Sequence, residues 1–313
     1  MDNAVTRKLG DAEDTVNDIK IPMTRNLGLA DLLKKSFAQV GPDHVSAFAG
    51  NLAYHALLAI FPFIIMMIST LALVGQGEQL TALLETVRSA LPAEAYTLIN
   101  DQIAAFVAQE GGTLVAGVVS ALLALWGVSG AFRSLMESMN VMYGVVESRS
   151  FVKKYLTSIM MSLLIALLLV AALALVVTGP VVSAWLADVT NTGPLVEWLW
   201  RIGRYPVLFA FVLLAFALIY YVAPSAEQKW RWVSPGSIFA GVMWLAFSMA
   251  FSVYVNNFGS YDKTYGTVGG VIVLMLYLYY SSFIVLLGAE MNQVIEEHVP
   301  GGKDEGEKTP DTA

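Results

Sequence analysis

No cysteine occurs in these 313 residues, which removes disulfides, thiolate metal sites and a cysteine nucleophile together. Charge is scarce as well: Asp, Glu, Lys and Arg make up 14% of the chain, against about a quarter in ordinary soluble domains. The net charge of −7 leaves no basic excess to grip a nucleic-acid backbone. The three histidines, His44, His55 and His298, stand in no H-x-E or H-E-x-x-H pattern, and no paired-Asp spacing accompanies them. No catalytic residue, metal ligand set or cofactor is therefore assigned, and no P-loop is present to bind ATP. The polar, mixed-charge segment up to Asn26 lacks the apolar core of a signal peptide, so the first apolar run is expected to direct insertion uncleaved.

Apolar sequence fills the space that charge leaves. Hydrophobic residues make up 57% of the chain and gather in six runs, 46–74, 113–130, 156–179, 206–222, 235–255 and 268–289. Each is near or above the ~20 residues that cross a ~30 Å hydrocarbon core as a helix, and a soluble helix rarely stays apolar on every face for so long. The reading is an all-α polytopic membrane bundle of six transmembrane helices. Arg7, Lys8, Lys20, Arg25, Lys34 and Lys35 precede the first span; Arg133, Arg149, Lys153 and Lys154 lie between the second and third. Lys229 and Arg231 follow the fourth, and Lys303 and Lys308 the sixth. Only Arg88, Arg201, Arg204 and Lys263 fall in the other connections, so fourteen cations face four. The positive-inside rule then puts both termini in the cytoplasm.

The chain divides into a cytoplasmic N-terminal segment (1–42), the transmembrane domain (43–298) and a disordered cytoplasmic tail (299–313). Leu29, Leu32, Leu33, Phe37 and Val40 form an apolar stripe beside Lys34 and Lys35, predicting a helix on the inner leaflet. Gly41-Pro42 breaks it, and Asp43 is the expected N-cap of the first span. Short amphipathic helices are expected in the outer loops, one around Leu80 to Val87, one around Ile99 to Val107, and a similar region around Trp185, Leu186, Trp198 and Trp200. Ser234-Pro235 is an N-cap and first-position pair opening the fifth span.

Polar groups within a bilayer are costly and each needs a reason. Asn51 and His55 share a face of the first span, with Tyr54 adjacent: either they bond a neighbouring helix or they line a cavity and contact a head group or relay a proton. Ser129, Arg133, Glu137 and Asn140 form one stripe, in which Arg133 and Glu137 are spaced to pair; the alternative is a helix emerging into water. Glu290, followed by Asn292, either snorkels to the inner surface or pairs with Arg133 or Arg149. If these clusters converge, they make a polar cavity open to the cytoplasm. At the outer end, Tyr254, Tyr261 and Tyr265 form an interfacial belt or an outer gate.

The ordered set Asp43, Leu52-Ala53-Tyr54, Phe61-Pro62, Trp126-Gly127, Arg133, Asn140, Tyr143, Arg149, 232–236, Trp244, Tyr254, Tyr265-Gly266 and 287–292 resembles the YihY/virulence factor BrkB family. That family comprises bacterial inner-membrane proteins, historically labelled ribonuclease BN-like. The chain departs from the pattern at Ala59, where Ser is expected, and at 277–280, where Trp is expected. The resemblance implies a six-helix fold in the bacterial cytoplasmic membrane, with membrane lipids as partners. The expected role is movement of lipids or other amphiphiles, with Arg133 contacting an anion and Glu290 acting as counter-charge or proton carrier. A scaffold or envelope assembly factor with an envelope protein partner is the alternative. A membrane-bound ribonuclease is disfavoured, and neither an enzyme nor a nucleic-acid partner is expected.

Overall fold

A computed structural model describes residues 27–73, 114–190, 193–228, 234–257 and 261–299; along parts of these helices, Tyr261 and Tyr265 included, it describes the helix path alone. The described residues form helices and the turns between them: α1 (Leu29–Gln39), α2 (Val45–Leu73), α3 (Leu114–Met142), α4 (Phe151–Thr190), α5 (Gly193–Val222), α6 (Pro235–Asn257) and α7 (Tyr261–His298). Four segments, Phe151–Ala172, Ile202–Val222, Pro235–Val255 and Gly269–His298, are long and apolar enough to cross a membrane.

The six long helices close into a ring. Each packs on the next in chain order from α2 to α7, and α7 returns to α2 while also touching α3. Their packing faces are apolar nearly all round, as lipid on one side and protein on the other require. The starts of α2, α4 and α6 and the ends of α3, α5 and α7 lie together, with α1 packed on α7. This is called the α1 end below.

Several boundaries differ from those read off the sequence. The apolar stripe of α1 is spent on protein: Leu32 is buried in a cluster with Leu27, Met291, Val294 and Ile295, and Lys35 Nζ lies 2.6 Å from His298 Nε2. Phe37 alone of the larger residues in that stripe stays exposed. The N-cap position of α2 is held by His44, in left-handed backbone (φ 51), whose carbonyl accepts from Ala47 and Phe48. Asp43 is thereby released from capping and turned toward α7.

At the opposite end, α4 runs on to Thr190 and α5 starts at Gly193. The expected short helices around Trp185 and Trp198 are thus continuations of the long ones. Pro206 sits inside α5, not at its start. Its ring removes a single backbone donor, and the helix carries on through the apolar residues before it. The first outer loop, with Leu80 to Val107, lies outside the described residues, as do the N-terminal 26 residues and the tail. Ser234 caps α6 as expected: its hydroxyl accepts from Ser237 N at 3.1 Å, while Ser234 N donates to Ser237 Oγ at 2.9 Å, a reciprocal cap.

Candidate functional site

A partly open cavity of about 620 Å³ lies between the helices, lined from all six long ones. α2 contributes Leu52 and Ala56, α3 Phe132 and its neighbours, α4 Ile165 and Ala166, α5 Phe211, Ala215 and Phe216, α6 Trp244, and α7 Leu278 and Val285. Small residues on facing helices leave the space open, and leucine, isoleucine and phenylalanine make the wall. Two of its few polar groups are engaged elsewhere in the protein. Ser162 Oγ donates to the Ser158 carbonyl at 2.7 Å, and Ser281 Oγ accepts from Trp244 Nε1 at 3.1 Å. A volume of this size falls in the range of small-molecule sites, and a wall of this chemistry favours an apolar occupant over water.

Toward the α1 end the same helices close tightly. A β-carbon on Gly288 would lie 2.9 Å from the Gly236 carbonyl oxygen and would also collide with the Tyr220 hydroxyl. Only glycine lets α6 and α7 approach this closely. Tyr220 donates to the Val285 carbonyl at 2.8 Å, tying α5 to α7. Asn292 Oδ1 accepts from Gly236 N at 2.9 Å, so a side chain of α7 caps α6. Tyr143, in the turn after α3, is buried against Asn292 and Gln228, and that burial pushes its phenol above the usual range.

Glu290 lies in this floor, 1% exposed, and its Oε1 has no hydrogen-bond partner among the described residues. It neither snorkels nor meets Arg133 or Arg149; the carboxyl that faces it is that of Asp43, with Glu297 also close. Both expected cations have other work. Arg149 Nε donates to Glu147 Oε1 at 2.7 Å, Nη2 donates to Glu147 Oε2 at 2.9 Å, and its two terminal nitrogens bond the Val222 and Ala223 carbonyls at 3.0 and 2.8 Å. A cation on the last carbonyls of α5 satisfies orphan acceptors and complements the helix dipole.

Asn140 completes this clamp. Its Oδ1 accepts from Ser225 N at 2.6 Å and its Nδ2 donates to Glu147 Oε2 at 3.1 Å. Partial burial works against the Glu147 carboxylate, but the Arg149 side chain, backbone N–H and charge, with Asn140, outweigh it and lower its pKa to about 2.

The remaining polar residues do not reach the cavity. Asn51 Nδ2 donates to Ser134 Oγ at 2.9 Å, an interhelical bond between α2 and α3. Tyr54 is 54% exposed and meets His55 edge-on at 5.5 Å between centroids. Ser129 is buried, donates to the Trp126 carbonyl and accepts from Arg133 Nη1 at 2.9 Å. Glu137 pairs with Lys154 of α4 at 2.7 Å, not with Arg133 along its own helix. The Glu137 side chain is exposed, while Met136, Met139 and Met142 beside the stripe are fully buried, so one side of α3 packs into the bundle and the other faces outward. Tyr254 is 41% exposed at the opposite end; side chains of Tyr261 and Tyr265 lie outside what is described.

The three polar clusters thus separate into an outward stripe, an interhelical bond and a buried floor. The cavity wall, Tyr220 and the Gly236–Gly288 contact escape sequence reading. On helices apolar all round, nothing in the pattern says which face looks inward. Among the described residues no three His, Cys, Asp or Glu side chains gather as a metal site.

A closed ring of long apolar helices, sealed at one end by directed contacts, defines a polytopic helical membrane protein. More narrowly, the sequence pattern described as Virulence factor BrkB matches residues 36–312, and the chain belongs to that family. It is 31% identical over 266 residues to the "Putative ribonuclease-like protein YfkH" of Bacillus subtilis (strain 168), covering 85% of this chain and 95% of the relative. A "UPF0761 membrane protein" of Cronobacter sakazakii (strain ATCC BAA-894) is 26% identical over 272 residues, covering 85% and 89%. Another of that description from Psychromonas ingrahamii is 26% identical over 267 residues, covering 84% and 86%. No solved structure matches the chain.

Proposed function

We propose that the chain moves lipids or other amphiphiles, taking their hydrocarbon chains into the cavity between its helices. The observation that carries this reading is the cavity itself: all six long helices wall it, and its surface is almost wholly apolar. A hydrocarbon chain gains about 0.8 kcal/mol for each methylene moved from water into such a wall. From within a bilayer that gain vanishes, so the site exchanges its occupant with lipid at little cost. Small exchange costs are what passage requires.

In this reading α2 and α3 cross the membrane with the four more clearly apolar segments, giving six spans in the bacterial cytoplasmic membrane. The α1 end faces the cytoplasm, because Lys34, Lys35, Arg149, Lys153 and Lys154 lie there. The role is non-enzymatic, with membrane lipids as partners. It relocates the substrate contact from the polar stripe to the apolar wall.

Leaflet exchange of a labelled phospholipid in proteoliposomes tests the function. Native protein is expected to accelerate exchange over protein-free vesicles, and Ala215→Phe, which fills the cavity, to remove about nine-tenths of that acceleration. Inserted, folded native protein without acceleration would overturn the reading. The absence of native cysteine makes topology equally accessible. Single cysteines at Gly41 and Ser148 are expected to react from the cytoplasmic side.

A further inference from the structure

We infer that the groove between α3 and α4, on the outside of the ring, binds the phosphate of an anionic phospholipid through Arg133. On α3 the cavity is lined by Val128, Ala131, Phe132 and Leu135, whereas Leu122 and Trp126, on the stripe that carries Arg133, are 59% and 58% exposed. On α4 the neighbouring Phe151, Leu156 and Met160 are likewise exposed. Arg133 therefore stands on a face made for hydrocarbon.

Its guanidinium is held in place by rings. It lies 4.3 Å from the Tyr155 centroid and 5.2 Å from that of Trp126; Tyr155 is in turn packed 4.3 Å from Phe151. Stacking fixes the plane of the guanidinium and leaves its donor edge free. Of its five N–H groups, one is taken by Ser129 Oγ; among the described residues no other acceptor and no carboxylate meets it. The nearby carboxylate, Glu137, is neutralised by Lys154.

Tyr155 is one turn into α4, about 6 Å from its first residue, so the guanidinium lies near the end of the span, where phosphates are found. A cation on an apolar outer face needs an anion there, and a bidentate acceptor suits the fork. An anionic phospholipid brings that phosphate with its chains parallel to the exposed Leu122, Leu156 and Met160. This inference rests on the outer face meeting lipid and not on translocation, so either can fail alone.

Fluorescence of Trp126, taken as the difference between native protein and Trp126→Phe, reports the site. The full chain is placed in phosphatidylcholine nanodiscs containing brominated phosphatidylglycerol or brominated phosphatidylcholine. Trp126 is expected to be quenched preferentially by the anionic lipid, by about fivefold in relative affinity. Arg133→Gln should erase the preference and Arg133→Lys should keep part of it. Should Arg133→Gln fail to insert, Tyr155→Leu is read instead, with a reduced preference expected. Equal quenching by both lipids, no quenching by either (a face covered by protein), or a preference that survives Arg133→Gln would each overturn the assignment.

Discussion

At the α1 end the helices meet through directed contacts: the Asn140–Glu147–Arg149 clamp onto the end of α5, the Asn292 cap on α6, the Tyr220 bond to α7 and the glycine contact between Gly236 and Gly288. About 10 Å further along α7, from Asn292 to Val285, the same helices stand apart around an apolar space. The difference teaches that closeness in this bundle is set by hydrogen bonds and glycine, and openness by small residues among large ones. Apolar association alone has little pull between helices in lipid. The α1 end is bonded between helices at many points; the cavity region has few such bonds, the Trp244–Ser281 contact among them.

Changes that break the bonded end should therefore cost far more stability than changes in the cavity. The largest effect is expected from Gly288→Leu, whose side chain has no room against Gly236 and Tyr220; a loss of about 3 kcal/mol or more should appear as a lowered denaturation midpoint in detergent. Arg149→Met comes next. It deprives Glu147 of its partner and uncaps two carbonyls, for about 2–3 kcal/mol in the same assay. That clamp also carries a pH signature. Glu147 has a folded pKa near 2 against an ordinary 4.5, so its contribution is complete above about 4.5 and drains away as pH falls toward 2. Native protein should lose stability across that window, and Glu147→Gln should show a flatter profile there.

Asn292→Ala sharpens the comparison on a smaller scale, exposing Gly236 N for about 1–2 kcal/mol, the usual worth of a helix cap. Ala215→Phe, in the cavity, should change the midpoint by less than about 1 kcal/mol while removing about nine-tenths of the proposed acceleration of exchange, because it fills existing space. The smallest effect belongs to Tyr54→Leu, on the exposed face, within about 0.5 kcal/mol. A cavity variant as destabilising as Gly288→Leu would erase the distinction between the two regions.

Helical class and membrane character were legible because apolar runs of this length have few other uses. The Ser234 cap was legible because capping is local chemistry. The partners of Glu290, Arg133 and Arg149 were not. Charge pairing was the natural expectation, yet Arg149 found a carboxylate two residues away and Arg133 found Tyr155 of α4 and Trp126 of its own helix, because helix rotation decides which neighbour is in reach. The placement of α1 followed the same logic: its apolar stripe fits a leaflet or a protein surface equally, and the exposed end of α7 supplied the second. The cavity was hidden for a more basic reason. Its lining alanines and phenylalanines do not differ in type from those that face lipid.

Occupancy of the cavity by hydrocarbon is the central claim, and photolabelling tests it most directly. A phospholipid with a diazirine in its acyl chain, irradiated with native protein in vesicles and mapped by peptide mass spectrometry, should mark Phe211, Phe216 and Ile165 inside the ring, with those marks lost in Ala215→Phe. Labels confined to outward residues such as Leu156 and Met160, equally strong in both proteins, would contradict the account.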